Sequence, residues 1–225
     1  MASVRLFVPC FVDELWPQAA RAAVELAEAV GFSVQLVDAV CCGQALANSG
    51  ADSTKVEARF AAAASGTEEV VVLSASCAGH LQTMSGGHAR VPPVVEWCDW
   101  FVRYAPDRFP QRLERRVVLH GSCSALRSTR NVETIRDLLS RVDGLEVFDP
   151  ADASECCGFG GTFSTEFPEM SVRMGRDKWN SLASAHPNGV EGVVSSDCSC
   201  LLHLRAIGKG ALPCYHIAEL LRSAV

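Results

Sequence analysis

The dipeptide Cys-Cys followed by Gly occurs twice, at Cys41-Cys42-Gly43 and Cys156-Cys157-Gly158, and each copy carries matching outliers. Upstream stand Cys10 and Cys123. Downstream stand Cys77 and Cys200, each after an apolar run and each followed three residues later by a histidine, His80 or His203. A chain built this way must gather the same distant segments twice. A duplicated scaffold with two thiolate-rich sites follows.

Eleven cysteines in 225 residues argue for metal or redox chemistry over a disulfide framework. An odd count leaves one thiol over in any all-disulfide monomer. Neighbouring Cα atoms across a trans peptide lie about 3.8 Å apart, short of the roughly 4.4–6.8 Å usual for a disulfide. The vicinal pairs are therefore poorly placed to bridge internally and well placed to offer two thiolates to one centre. The net charge of -6 lacks the basic footprint of a nucleic-acid binder. No Lys/Arg-rich block favours an anionic membrane, and no run reaches the roughly 18 apolar residues of a membrane span. No signal segment stands out, so a cytoplasmic protein is expected.

Apolar patterning predicts alternating strands and helices. Val4 to Val8 reads as a strand ending at Cys10, and Pro17 opens a helix that Gly31 closes. Ser33 to Val40 is a second strand, a helix runs over Val56 to Ala64, and Val70 to Leu73 leads to Cys77. The second half repeats this order. Its strands are Arg116 to Leu119, Leu145 to Phe148 and Val190 to Val194. Its helices are those marked by Val132 to Val142, Pro168 to Ala185 and His216 to Ser223. The expected class is α/β, with two tandem pseudo-symmetric lobes, each a small parallel sheet flanked by helices. The cysteines then fall at strand C-terminal ends, where ligands of such sheets collect. The expected boundaries are 1–82 for the first repeat, 83–115 for a connector with a helical piece near Val94 to Tyr104, and 116–225 for the second.

Iron–sulfur clusters need several thiolates converging from backbone that approaches closely, which Gly43, Gly158, Gly160 and Gly161 permit. Structural zinc sites usually draw on closely spaced cysteine pairs. Here the ligands arrive singly from distant strands, which disfavours a zinc ribbon and leaves zinc in one half open. His120 and Arg127 flank Cys123 and read either as hydrogen-bond or charge partners of a negative centre or as surface and capping residues. Cys98, Cys198 and Cys214 lie outside the repeat and read as small buried hydrophobes. No dinucleotide loop is present, because Gly158-x-Gly160-Gly161 lacks the spacing.

The segments Phe7 to Cys10, Cys41 to Gln44, Ser74 to Cys77 and His120 to Cys123 carry a resemblance, as do Cys156 to Ser164, Asp197 to Leu201 and His216 to Glu219. Together they resemble the cysteine-rich CCG-domain proteins, which include a component of heterodisulfide reductase and, as a nearer likeness, the lactate-utilisation protein A family. The resemblance implies one iron–sulfur cluster per lobe, of the [4Fe–4S] type. Its ligands would be Cys10, Cys41, Cys42 and Cys77 in one lobe and Cys123, Cys156, Cys157 and Cys200 in the other. His80 and His203 stand where relatives carry a fifth cysteine and are candidate additional ligands, so cubane and non-cubane clusters both stay open. The implied role is an electron-transfer subunit in L-lactate oxidation to pyruvate, without a complete active site of its own. The implied partners are a ferredoxin-like iron–sulfur protein and a third small subunit. A thiol–disulfide reductase subunit and a zinc-binding scaffold are the alternatives.

Overall fold

The computed structural model describes residues 2–85 and 91–225. The first lobe runs β1 (Ala2–Phe7), α1 (Cys10–Leu15), α2 (Pro17–Ala29), β2 (Phe32–Leu36), α3 (Gln44–Asn48) and α4 (Thr54–Ala63). It continues through β3 (Val70–Val72), α5 (Ala75–Ser85), β4 (Val94–Glu96) and α6 (Trp97–Phe101). The second lobe begins with β5 (Arg115–Leu119), α7 (Cys123–Arg127), α8 (Val132–Ser140), β6 (Leu145–Phe148) and α9 (Phe163–Glu166). It ends with α10 (Pro168–Ala183), β7 (Val193–Ser195), α11 (Cys198–Ile207), β8 (Cys214–His216) and α12 (Ile217–Arg222). Each lobe holds one four-stranded parallel sheet, in the orders β2-β1-β3-β4 and β6-β5-β7-β8.

Local chemistry explains the elements. Val70, Val71 and Val72 are all buried, as parallel strands covered on both faces require. Pro17 occupies the first turn of α2, where its missing N–H leaves no bond unmade, and Gly31 follows that helix at φ +92°, a conformation open to glycine. In α8, Ile135, Leu138 and Leu139 form the buried stripe.

Several boundaries differ from the sequence reading. The second strand stops at Leu36, and the chain from Val37 reaches Cys41 as a loop. The stretch expected to be a connector supplies β4 and α6, the outer strand of the first sheet and the helix that follows it.

The lobes exchange their last helices. The helix α12 packs on α2, and reciprocally α6 packs on α8; α5 meets α7, and α1 meets α11. Alanines at 19, 22, 23 and 27 give α2 a low, buried face. One hydrophobic core joins Leu6 and Leu26 of the first lobe to Val117, Leu138 and Leu220 of the second. Polar contacts follow the same exchange, with Trp16 Nε1 donating to Glu219 Oε2 at 2.7 Å and Asn131 Nδ2 donating to Glu96 Oε2 at 2.6 Å. Among the described residues no helix is long and apolar enough to cross a membrane.

Candidate metal centres

Each outlying cysteine sits in the first turn of a helix that leaves the C-terminal end of a strand. Cys10 opens α1 after β1, and Cys123 opens α7 after β5. Cys77 and Cys200 are the third residues of α5 and α11, after β3 and β7. Helix N-termini present free N–H groups and positive potential, which favour thiolate over thiol. The N-cap side chains Ser122, to the amide of Ala125, and Asp197, to the amide of Ser199, fix two of these turns at 3.1 and 3.3 Å.

The vicinal pairs enter from loops with one shared geometry. The amide of Gly43 donates to Cys41 Sγ at 3.4 Å, and that of Gly158 donates to Cys156 Sγ at 3.3 Å. Both glycines have positive φ, +92° and +85°. A Cβ on Gly158 would stand 2.7 Å from both Met174 Cβ and the Ser171 carbonyl oxygen, so only glycine fits this approach.

Within each lobe the four thiols form a continuous series of direct interactions, Cys10–Cys41–Cys42–Cys77 and Cys123–Cys156–Cys157–Cys200. Cys42, Cys77, Cys157 and Cys200 are buried, while Cys10, Cys41, Cys123 and Cys156 are half-buried. The interaction with Cys42, then burial, pushes the Cys41 thiol up. Cys156 holds Cys123 up in the same way, and Cys156 itself is drawn down by Cys123 and Cys157. Four crowded thiols cannot all ionise alone, and a bound cation removes that restraint by displacing their protons.

The histidines divide. His80 Nε2 lies 3.3 Å from Glu57 Oε1, off the line a hydrogen bond needs. His203 Nε2 lies 3.4 Å from the carbonyl oxygen of Ser171, in space that Gly175 leaves open. Both are thus placed against the helices α4 and α10. The imidazole that the structure brings to thiols is that of His120. One donor atom each from His120, Cys157 and Cys200 lies within 4.8 Å of the other two, and all three residues are buried. Neither ring nitrogen of His120 has a hydrogen-bond partner, a cost of ~1–3 kcal/mol for a buried polar atom. Burial and then the charge of Lys178 push its pKa down to about 3, so the ring is neutral and carries a free lone pair. Lys178 is itself buried, with Nζ 2.7 Å from the Asp152 carbonyl oxygen and 3.2 Å from Asp152 Oδ1.

The remaining candidates are structural. Arg127 is exposed in the last turn of α7, where its charge complements the helix end. Cys98, Cys198 and Cys214 are buried in the common core, and burial pushes the Cys214 thiol up to about 11.

The donor set suits a thiolate-bound metal. Four thiols in series in each lobe, amides aimed at sulfur and an unpartnered buried imidazole beside Cys157 and Cys200 point to metal or iron–sulfur binding.

Comparison with known proteins agrees with this arrangement. The cysteine-rich domain, CCG, matches residues 4–82 and 117–205, one copy in each lobe. The chain is 32% identical to lactate utilization protein A of Bacillus licheniformis, over 98% of this chain and 99% of that protein. It is also 32% identical to lactate utilization protein A of an Exiguobacterium species, over 100% of this chain and 99% of that one. Among solved structures, a hypothetical protein from Helicobacter pylori superposes with a TM-score of 0.61 at 7% identity, covering 98% of this chain and 50% of that one, a likeness of fold. With two CCG domains and relatives of this identity over nearly their whole length, the chain belongs to the lactate utilization protein A family of cysteine-rich CCG-domain proteins.

Proposed function

We propose that this chain is an iron–sulfur electron-transfer subunit of an assembly that oxidises L-lactate to pyruvate. One cluster of the [4Fe–4S] class would be held in each lobe, by Cys10, Cys41, Cys42 and Cys77 and by Cys123, Cys156, Cys157 and Cys200. The supporting observation is the gathering of eight cysteines, four by four, into two interacting thiol series, each joining two helix N-termini to a vicinal pair on a loop. The substrate comes from the relatives, which are named for lactate utilisation.

A cluster in each lobe supplies a one-electron store. The protein holds the thiolates, offsets their charge with helix N-termini and amides, and seals one side of each centre from water. The half-buried pairs Cys10–Cys41 and Cys123–Cys156 leave the other side near solvent, where electrons enter or leave. Lactate itself is oxidised on a partner surface, with a ferredoxin-like iron–sulfur protein and a third small subunit as the companions. Eleven free thiols suit a reducing cytoplasm.

Anaerobic purification tests this directly. The expected result is a brown protein with about eight iron and eight acid-labile sulfide per chain, which copurifies with its partners and restores lactate-dependent electron transfer. A colourless protein with zinc and no sulfide overturns it. Turnover of a disulfide substrate by the isolated chain, without any lactate phenotype, moves the function to disulfide reduction.

A further inference from the structure

One difference between the lobes falls directly beside the thiols. Three residues before its first cysteine, the first lobe carries Phe7 at the end of β1, and the second lobe carries His120 just after β5. Phe7 belongs to a buried apolar cluster with Cys42, Cys77 and Phe60, and its ring meets that of Phe60 edge-on at 5.0 Å. In the second lobe the corresponding thiols, Cys157 and Cys200, have His120 beside them instead.

We propose that His120 is a metal ligand of the second centre, beside Cys157 and Cys200, and that the first centre has no counterpart. The assignment presupposes that the second-lobe thiolates hold metal. Three facts carry it. The three donor atoms lie within 4.8 Å of one another. Two donors on one tetrahedral metal with bonds of about 2.0–2.3 Å stand roughly 3.3–3.8 Å apart, and donors to neighbouring irons of a cluster stand farther apart, so the three donors are close enough to hold metal between them. Both imidazole nitrogens lack partners in a fully buried pocket, and a metal bond satisfies one of them. The residue at the same place in the first lobe is a phenylalanine that packs and cannot ligate.

His120 adds a neutral nitrogen donor to the second centre's thiolates, and ligand identity is one of the levers that set a cluster's potential, so the two lobes hold electrons at different potentials.

The experiment uses the full chain, purified anaerobically with ¹⁵N-histidine, in a background where Cys41→Ala and Cys42→Ala empty the first centre. Pulsed electron paramagnetic resonance on the remaining paramagnetic centre reads the nitrogen coupling. One strongly coupled imidazole nitrogen is expected. His203→Gln should retain it, and His120→Phe, which installs the first lobe's own residue, should abolish it and shift the potential. The measurement on His120-containing protein stands even if His120→Phe fails to fold. A loaded second centre without strong nitrogen coupling overturns the assignment and leaves the iron–sulfur reading intact, as does coupling lost in His203→Gln and kept in His120→Phe. Zinc in the second lobe overturns the iron–sulfur reading alone. There the zinc-edge absorption must show an imidazole that His120→Phe removes, or the assignment falls too. A chain that binds neither metal overturns both.

Discussion

The two lobes share a backbone and differ in what surrounds their thiols. Strand order, helix order, the amide-to-sulfur turn at each Cys-Cys-Gly and the thiol series are common to both. Around the first series the buried neighbours are mainly apolar, Phe7, Phe60, Val37 and Leu81 among them. Around the second stand His120, Lys178 and Asp197, all buried. Asp197 also reaches across the lobes, its Oδ2 accepting from the amide of Ser76 at 3.1 Å, while at the matching place Ser74 makes a hydroxyl contact with Ser76, 2.9 Å away within its own lobe. Duplication has kept the metal-gathering frame and diversified the buried polar groups, which are the groups that tune a centre's potential.

The largest expected effects come from the vicinal cysteines. Cys42→Ser should remove the first-lobe signal and about half of the iron and sulfide, and Cys157→Ser should do the same for the second lobe. Metal analysis with electron paramagnetic resonance on each variant checks this. If either substitution empties both lobes, the two centres are not separate and the comparison fails.

Next in size is a difference in how the lobes respond to pH. Strands β4 and β8 each end in the residue that caps the following helix: Glu96 Oε2 accepts from the amide of Cys98 at 2.7 Å, and His216 Nδ1 accepts from that of Ala218 at 3.2 Å. Burial, then the neighbouring Asp99, pushes Glu96 up to about 8. Its folded form therefore binds a proton more tightly than the unfolded chain does. The stability it confers is full below its ordinary value near 4.5, falls as pH rises, and is lost by about pH 8. Burial pushes His216 down to about 4, and the sign reverses. Its contribution is present above about pH 6.5 and lost as pH falls toward 4. Glu96→Gln should raise stability at pH 9 by on the order of a few kcal/mol and flatten the alkaline limb. His216→Asn, which keeps a capping oxygen, should flatten part of the acid limb, with His120 accounting for another part. Thermal melts from pH 4 to 9 read both, and an unchanged alkaline limb in Glu96→Gln sinks the first expectation.

Smaller again is the contrast between the two glycines. Alanine at Gly43 meets the strain of positive φ, about 1–2 kcal/mol, and a 3.2 Å approach to Cγ of the flexible Glu57 side chain. Alanine at Gly158 meets the same strain and two 2.7 Å collisions, one of them with backbone. Gly43→Ala should lower Tm by roughly 2–8 °C, and Gly158→Ala by more. Equal losses would mean that α10 yields as readily as a glutamate side chain.

Much of this molecule is legible in its sequence because the informative signals are local. Valine runs mark β3 and β7, Pro17 and Gly31 bracket α2, and the doubled cysteine set announces the duplication. The outer strands β4 and β8 are not legible. Val94–Glu96 and Cys214–His216 have three residues each, too few for a period, and they are strands because β3 and β7 offer them an open edge. The exchange of last helices between lobes depends on tertiary packing that no window of sequence contains. At the site, cysteine positions could be read from spacing, whereas His120 could be placed beside Cys123 but not beside Cys157 and Cys200. Its one signal in the sequence is the mismatch with Phe7.

The smallest expected effect concerns the shared offset of His80 and His203 from Cys77 and Cys200, which invites a common role as ligands. The structure offers a packing cause for the repetition. Each ring lies one turn beyond its cysteine on α5 or α11 and meets a residue of another helix, Glu57 of α4 or Ser171 of α10. A contact of this kind, partly screened, is worth about 0–1 kcal/mol. His80→Gln, which keeps a polar end near Glu57, should therefore shift Tm by no more than a few degrees and leave iron, sulfide and the first-lobe spectrum unchanged. A first-lobe centre that loses iron or changes its spectrum in His80→Gln makes His80 a ligand. The histidines would then be a shared property of both centres, and the asymmetry between lobes would narrow to His120 alone.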